Sequence, residues 1–169
     1  MWTGVGVFVG VEPSGLVQES TNAFSATGAA ASITSGRFSY VLGLVGPCYT
    51  IDTACSSALA ALHSCTGTLL RRECEEAVTI GTKVLSEAAN YGTAIAGMTS
   101  PLGRCHTFDG RADGYCRGEG CGAYRILSDG PDGDVQGGSF GCDARVLGSA
   151  VRQDGPSASL TAPNGASQR

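Results

Sequence analysis

The residues of this chain most able to do chemistry are the six at positions 52–57, Asp-Thr-Ala-Cys-Ser-Ser. They follow a segment, residues 46–51, whose composition is typical of a turn and then a strand. Apolar residues next recur at the spacing of one helix face, at Ala58, Leu59, Ala61, Leu62 and Cys65. The pattern therefore predicts that Cys55 lies in the first turn of a helix, directly after a buried strand.

A cysteine at a helix start is a candidate nucleophile. The unpaired N–H groups and the positive end of the helix dipole favour an anion there, and the thiolate is the form of cysteine that attacks carbon. We expect Asp52 or Thr53 to be the N-cap residue. The alternative is an inert cysteine packed among small residues, which is the commoner role of a buried thiol.

Other short motifs stand in a fixed order around this hexapeptide. They are Gly-Arg-Phe-Ser-Tyr at 36–40, Leu-Val-Gly-Pro at 44–47, Gly-Met-Thr-Ser-Pro at 97–101, Thr-Phe-Asp at 107–109, Arg-Gly-Glu-Gly at 117–120 and Leu-Thr-Ala-Pro-Asn-Gly at 160–165. In order and spacing they resemble the β-ketoacyl synthases of type I polyketide and fatty acid synthases, from about residue 4 to residue 168. Two departures from the family pattern are Arg152, where asparagine is usual, and residues 80–84, which lack the usual paired glycines.

The resemblance implies a fold, an activity and partners. The fold is α/β, a thiolase-like layered αβαβα architecture that is incomplete here. In such synthases a cysteine, here Cys55, takes an acyl group from a thioester, and the carbanion of a decarboxylated malonyl-type thioester then attacks it in a Claisen condensation. The resemblance also implies a homodimer, an acyl carrier protein bearing phosphopantetheine thioesters, other synthase domains, and neither a metal nor a bound cofactor.

The family also uses two histidines from later motifs, and this chain has only His63 and His106. His63 follows Cys55 by eight residues, about 12 Å along a helix axis, so the two side chains are not expected to meet. His106 stands in a loop where the family usually has lysine. We expect a fragment cut at both ends, with residues 1–130 a partial N-terminal half and 131–169 the start of the C-terminal half. By itself it should not complete the condensation.

Length, charge and cysteine usage exclude several classes of protein. The chain has 169 residues and a net charge of −4, which suits one domain and argues against a nucleic-acid partner. No stretch approaches the roughly 18 apolar residues of a membrane span. The eight cysteines have no Cys-x-x-Cys spacing, and no signal peptide is visible. We therefore expect free thiols in an intracellular, reducing compartment, the cytoplasm or a plastid.

Two segments resemble ligand sites but have the wrong spacing. Gly4, Gly6 and Gly10 miss the Gly-x-Gly-x-x-Gly pattern by one residue and lie within a predicted strand. A calcium loop starting at residue 129 would need glycine and glutamate where Asp134 and Phe140 stand. No cofactor or metal site is predicted.

The predicted elements alternate between strands and helices. Strands are expected at residues 4–11, 45–51, 77–81 and 122–127, a helix from Cys55 to about Arg72, a short helix within 21–38, and a partly helical segment at 83–96 interrupted by Gly92. Residues 99–120 are predicted to be a long ordered loop, whose charged residues either pair with one another or take part in catalysis.

Two other functions stay open. The chain could be a truncated, non-catalytic relative that dimerises with a full synthase or scaffolds it. A thiol hydrolase or thiolase is a weaker alternative, because Thr-Ala-Pro-Asn-Gly at 161–165 favours the type I synthases.

Overall fold

The computed structural model describes residues 4–12, 22–128, 144–159 and 162–167, and this part of the chain forms four strands and four α-helices. In chain order they are β1 Val5–Val11, α1 Ser25–Ala29, α2 Ser32–Leu42, β2 Cys48–Ile51, α3 Ser57–Leu70, β3 Glu76–Lys83, α4 Glu87–Ile95 and β4 Gly120–Leu127. A 3-10 turn, Ala54–Ser56, separates β2 from α3. None of the helices described is long and apolar enough to cross a bilayer.

The strands form one mixed sheet in the order β2-β1-β3-β4. β1 is parallel to both of its neighbours, β2 and β3. β4 is antiparallel to β3 and lies at one edge. The first six residues of β1 are buried, which confirms the prediction of a strand covered on both faces.

Helix α3 covers one face of this sheet. Alternate β1 residues point to that face, and they are Gly6, Phe8 and Gly10. The core there is a cluster of six buried residues, namely Phe8, Ala61, Cys65, Leu69, Cys74 and Ala77. On the opposite face a second cluster joins Val7, Val9 and Ile80. Successive residues of β1 therefore contribute to two different cores.

The boundaries of several elements differ from the predictions. β2 begins at Cys48, later than expected, and the segment predicted to hold one short helix, residues 21–38, contains α1 and the first part of α2. Helix α4 runs through Gly92 without interruption. A glycine inside a helix costs only about 1 kcal/mol, and Ser86 caps this helix by accepting the Ala89 N–H at 3.4 Å.

The long loop and the strand after it are confirmed. Between α4 and β4 the chain forms only turns and a single bridge, Thr99 with Tyr115. The predicted division at residues 130 and 131, and the rejected calcium loop, lie outside the described residues.

Candidate active site

Cys55 lies in the 3-10 turn between β2 and α3, and its thiol is free and exposed. Helix α3 begins two residues later, at Ser57. The prediction that Cys55 belongs to the first turn of the helix is therefore wrong in detail, although the strand-to-helix junction is where it was expected. The helix starts later than predicted because the 3-10 turn, Ala54–Ser56, stands between the end of β2 and the first residue of α3.

Hydrogen bonds hold this turn in an uncommon backbone conformation. Ala54 has a φ of 54°, a left-handed value that costs a residue other than glycine about 1–3 kcal/mol. Its N–H donates to Asp52 Oδ1 at 2.9 Å. The buried Ser57 Oγ accepts the Thr53 N–H at 2.9 Å and donates to the Ala54 carbonyl at 2.7 Å. These bonds fix the residue that precedes Cys55.

The predicted N-cap is also corrected. The residue that caps α3 is Ser56, and its side chain makes no capping hydrogen bond. Asp52 bonds within the turn instead. Thr53 is the N-cap residue of the 3-10 turn that holds Cys55, but its side chain makes no capping hydrogen bond. The inserted turn places both residues too far from the first α-helical N–H groups to cap them.

Two glycines let the start of α3 lie directly on the sheet. A Cβ atom at Gly10 of β1 would stand 2.4 Å from the backbone carbonyl of Ser57. A Cβ at Gly81, the β3 partner of Gly10, would stand 2.7 Å from the Ala58 Cβ. Gly10, which belonged to the rejected dinucleotide motif, therefore has a structural role, since together with Gly81 it positions the turn that carries Cys55.

Cys55 lines an open cleft of about 960 Å³ at the carboxyl ends of β1 and β3. The start of α3 forms one wall, with Leu59 and Leu62. The long loop and β4 contribute Met98 and Tyr124. Carboxyl ends of parallel strands are a common place for ligand sites in α/β sheets, and this cleft has room for an extended small molecule.

The charged residues of this cleft, within the described part of the chain, are Glu12, Lys83 and Arg117. Lys83 Nζ lies 2.5 Å from Glu12 Oε2, and Arg117 Nη2 lies 3.5 Å from Glu12 Oε1. Sequence reasoning missed Glu12 and Lys83. The sequence held no signal for them, because Glu12 and Lys83 come together only when β1 and β3 pair in the sheet.

The prediction that the loop charges pair with one another is confirmed only for one pair. Arg111 Nη2 lies 2.6 Å from Asp109 Oδ2. Arg117 instead reaches Glu12 at the end of β1, and Glu119 Oε1 accepts the Leu85 N–H at 2.7 Å. The second half of the loop is thus tied to the sheet and to the chain before α4.

The ion pair of Glu12 makes stability depend on pH. The hydrogen bond from Lys83, together with the charges of Lys83 and Arg117, holds the pKa of the Glu12 carboxyl below its ordinary value of 4.5, despite some desolvation. Because the folded-state pKa is lowered, the stabilisation is present above the unfolded-state pKa and is lost as the pH falls through the folded-state pKa. We expect Glu12→Gln to lower the free energy of unfolding by about 2 kcal/mol at pH 7, with the deficit shrinking below pH 4.5.

The matched control is Glu75→Gln, a change at an exposed carboxylate. Urea unfolding of the three proteins between pH 3 and pH 8 measures the effect. A deficit for Glu12→Gln that stays constant across this range would contradict the ion-pair explanation.

Of the other cysteines that the structure describes, all but Cys116 are either buried or outside the cleft. Cys65 and Cys74 are buried in the core under α3. Burial raises the pKa of the Cys65 thiol to about 12, with a smaller contribution from Cys74, and burial likewise raises the pKa of the Cys74 thiol. Buried thiols of this kind are inert. Cys116 lines the cleft as well, and its N–H donates to Cys105 Sγ at 3.1 Å.

The structure keeps both histidines away from Cys55. His63 lies on α3, half-buried, and its Nδ1 is 2.9 Å from Ser149 Oγ. His106 lies in the long loop, where its carbonyl accepts the Asp109 N–H at 3.2 Å. Neither histidine lines the cleft. Across the described residues, no group of three histidine, cysteine, aspartate or glutamate side chains could hold a metal ion.

Comparison with known proteins decides the family. Residues 2–129 match the family model described as Beta-ketoacyl synthase, N-terminal domain. The chain belongs to the β-ketoacyl synthase family. This synthase chain is 44% identical over 154 residues to a phenolphthiocerol/phthiocerol polyketide synthase of Mycobacterium tuberculosis, a match that covers 89% of the chain and 10% of that protein. It is 40% identical over 173 residues to the non-reducing polyketide synthase mapC of Penicillium roqueforti, covering 98% of the chain and 7% of that protein.

Solved ketosynthases share the fold of this synthase chain. The ketosynthase from module 6 of the bacillaene synthase of Bacillus subtilis superposes with a TM-score of 0.64 at 33% identity, covering 74% of this chain and 21% of that one. An oxazolomycin ketosynthase domain of Streptomyces albus gives a TM-score of 0.64 at 33% identity, with 73% and 23% covered. The predicted α/β, thiolase-like fold class is therefore confirmed. The chain spans a tenth or less of these two polyketide synthases and about a fifth of the solved ketosynthase chains.

Proposed function

We propose that this chain carries the acyl-accepting half of a β-ketoacyl synthase active site, with Cys55 as the nucleophile. The observation that carries the proposal is the position of Cys55, an exposed thiol on a hydrogen-bonded, strained turn at the edge of the cleft. Strained backbone of this kind is concentrated at functional sites. The family assignment supports the same role.

In the proposed reaction the Cys55 thiolate attacks the carbonyl carbon of an acyl thioester. A tetrahedral oxyanion forms, the carbon–sulfur bond to the donor breaks, and the donor leaves as a thiolate that is then protonated. The Cys55 N–H stands at the start of the 3-10 turn, where an N–H has no partner within the turn. It is therefore available to stabilise the oxyanion. Leu59, Leu62 and Met98 give the cleft an apolar wall for the acyl chain.

The test is to incubate the chain with an acyl-coenzyme A thioester and to locate the acyl group by peptide mass spectrometry. We expect acylation at Cys55 and its complete loss in Cys55→Ala. Cys65, buried in helix α3, is the internal control and should stay unmodified. Cys48→Ala, a change at another exposed thiol, should leave acylation of Cys55 unchanged.

Equal acylation of all the exposed cysteines would show only thiol exposure, and would favour the alternative of a non-catalytic remnant that dimerises or scaffolds.

We propose further that these 169 residues accept an acyl group without elongating it, because neither histidine lines the cleft. Formation of a β-ketoacyl product from a malonyl thioester by the purified chain would contradict this part.

The remaining parts of the proposal concern the whole synthase. It would catalyse decarboxylative Claisen condensation in polyketide or fatty acid synthesis, within a reducing intracellular compartment, with thioesters delivered by an acyl carrier protein and with other synthase domains as partners. The division at residues 130 and 131 is supported by the end of the family match at residue 129.

A homodimer is supported by β2, which pairs only with β1 in the described sheet and so offers a free edge. Sedimentation of the chain as a monomer at every concentration would count against the dimer.

A further inference from the structure

Two exposed cysteines of the long loop lie against each other. Cys105 Sγ accepts the Cys116 N–H at 3.1 Å and donates to the Cys116 carbonyl oxygen at 3.7 Å. Both thiols are free and exposed. A thiol is only a weak hydrogen-bond donor and acceptor, so these contacts bring the two residues together without tying up either sulfur.

The separation of the two residues suits a disulfide. Because an N–Cα bond is about 1.5 Å long, Cys105 Sγ lies within about 4.6 Å of the Cys116 Cα. A disulfide joins residues whose Cα atoms are about 4.4–6.8 Å apart, a range that a thiol resting on the backbone of its partner can span. The Cys116 thiol points to the Arg117 carbonyl oxygen, 3.6 Å away. Rotation of that side chain is therefore the change that pairing requires.

The backbone around Cys116 is held on both sides. The Tyr115 N–H donates to the Met98 carbonyl at 3.1 Å. On the other side, Arg117 forms an ion pair with Glu12 at 3.5 Å. Cys116 is thus an exposed thiol on a fixed segment, which keeps it within reach of Cys105.

We propose that Cys105 and Cys116 are a redox-reactive pair that closes to a disulfide by exchange with a small-molecule disulfide such as oxidised glutathione. The contrast is with Cys65 and Cys74, which share the core under α3 and are buried from any such oxidant. In a reducing compartment a disulfide of this kind is typically transient and redox-sensing. The inference concerns this pair alone and does not require acylation of the cleft cysteine.

The exchange takes place in two steps. The Cys105 thiolate attacks one sulfur of oxidised glutathione, the sulfur–sulfur bond of glutathione breaks, and one glutathione leaves as a thiolate. The Cys116 thiolate then attacks Cys105 Sγ in the mixed disulfide and releases the second glutathione. The two cysteines are oxidised, and one molecule of oxidised glutathione is reduced to two of glutathione.

Tryptic peptide mapping tests the proposal. Arg111 lies between the two cysteines, so trypsin places them on peptides 105–111 and 112–117, which stay joined only by a disulfide. The folded chain is equilibrated with oxidised and reduced glutathione, quenched with acid and digested without reductant. With reduced glutathione at about 0.1 mM, we expect the joined peptides to exceed the mixed glutathione disulfides of these cysteines about tenfold, because a neighbouring thiol has an effective concentration in the millimolar range.

The control variant Cys105→Ser should leave only a mixed glutathione disulfide on Cys116. In the unaltered chain, mixed disulfides at both positions with no joined peptides would overturn the proposal.

A second measurement separates the effect of the fold from nearness along the chain. Cys121 is also exposed and is closer to Cys116 in sequence than Cys105 is. We expect the bond between Cys105 and Cys116 to predominate in the folded chain. In urea the bond between Cys116 and Cys121 should become at least as frequent, since closing the shorter loop costs less entropy. The same ratio of the two disulfides in both states would overturn the proposal.

Discussion

Gly10→Ala is expected to destabilise the chain by about 3 kcal/mol and to slow the alkylation of Cys55. The new Cβ atom would stand 2.4 Å from the backbone carbonyl carbon and oxygen of Ser57, a distance that real structures do not show. Because the obstacle is backbone, α3 would have to move away from β1, and forced overpacking of this kind costs about 1–3 kcal/mol or more. The shift would carry the 3-10 turn and Cys55 with it. Urea unfolding and the rate of reaction of Cys55 with iodoacetamide measure the two effects.

Gly4→Ala is the matched control, since a Cβ at Gly4 meets nothing within 4 Å. It should change the free energy of unfolding by less than about 0.5 kcal/mol and leave Cys55 unaffected. If both alanine variants unfold at the same urea concentration, the close approach of α3 to β1 is wrong.

Phe8→Ala is expected to cost about 3–5 kcal/mol, a large part of the stability of an ordinary domain. Phe8 is fully buried at the centre of the sheet and joins the core residues of α3 and β3. Its ring centroid also lies 5.5 Å from that of Tyr49 on β2. Removing the ring would leave a cavity beneath α3, so the loss of stability includes both transfer and cavity contributions. Chemical denaturation followed by circular dichroism measures it.

The matched control here is Phe24→Ala, because Phe24 is 78% exposed and should cost less than about 0.5 kcal/mol. Phe8→Leu provides a graded variant that keeps most of the core volume, with an expected cost below about 2 kcal/mol. A Phe8→Ala protein as stable as the Phe24→Ala protein would show that α3 does not pack on this face of the sheet.

Local sequence patterns predicted a strand, helix or loop correctly where neighbouring residues determine that element. The apolar run of β1, the helical spacing after Cys55 and the turn-rich loop at 99–120 all appear in the structure. The prediction of the helix start was wrong by two residues because a tight turn precedes Ser57. The predicted interruption of α4 at Gly92 was wrong. The free-energy cost of one glycine in a helix is small compared with the stabilisation from the other residues of α4.

The sequence alone predicted the family and the fold class, because both follow from the order and spacing of its motifs. It also predicted that Cys55 stands between a strand and a helix. The residues that share the cleft with Cys55 could be identified only from the folded molecule. Glu12, Lys83 and Arg117 are far apart in the chain and meet because β1 and β3 are neighbours and the long loop returns beside them. Contacts of that kind depend on the sheet order, which no short segment of sequence specifies. Cys55 is thus predicted from local sequence, whereas the charges around it are a product of the fold.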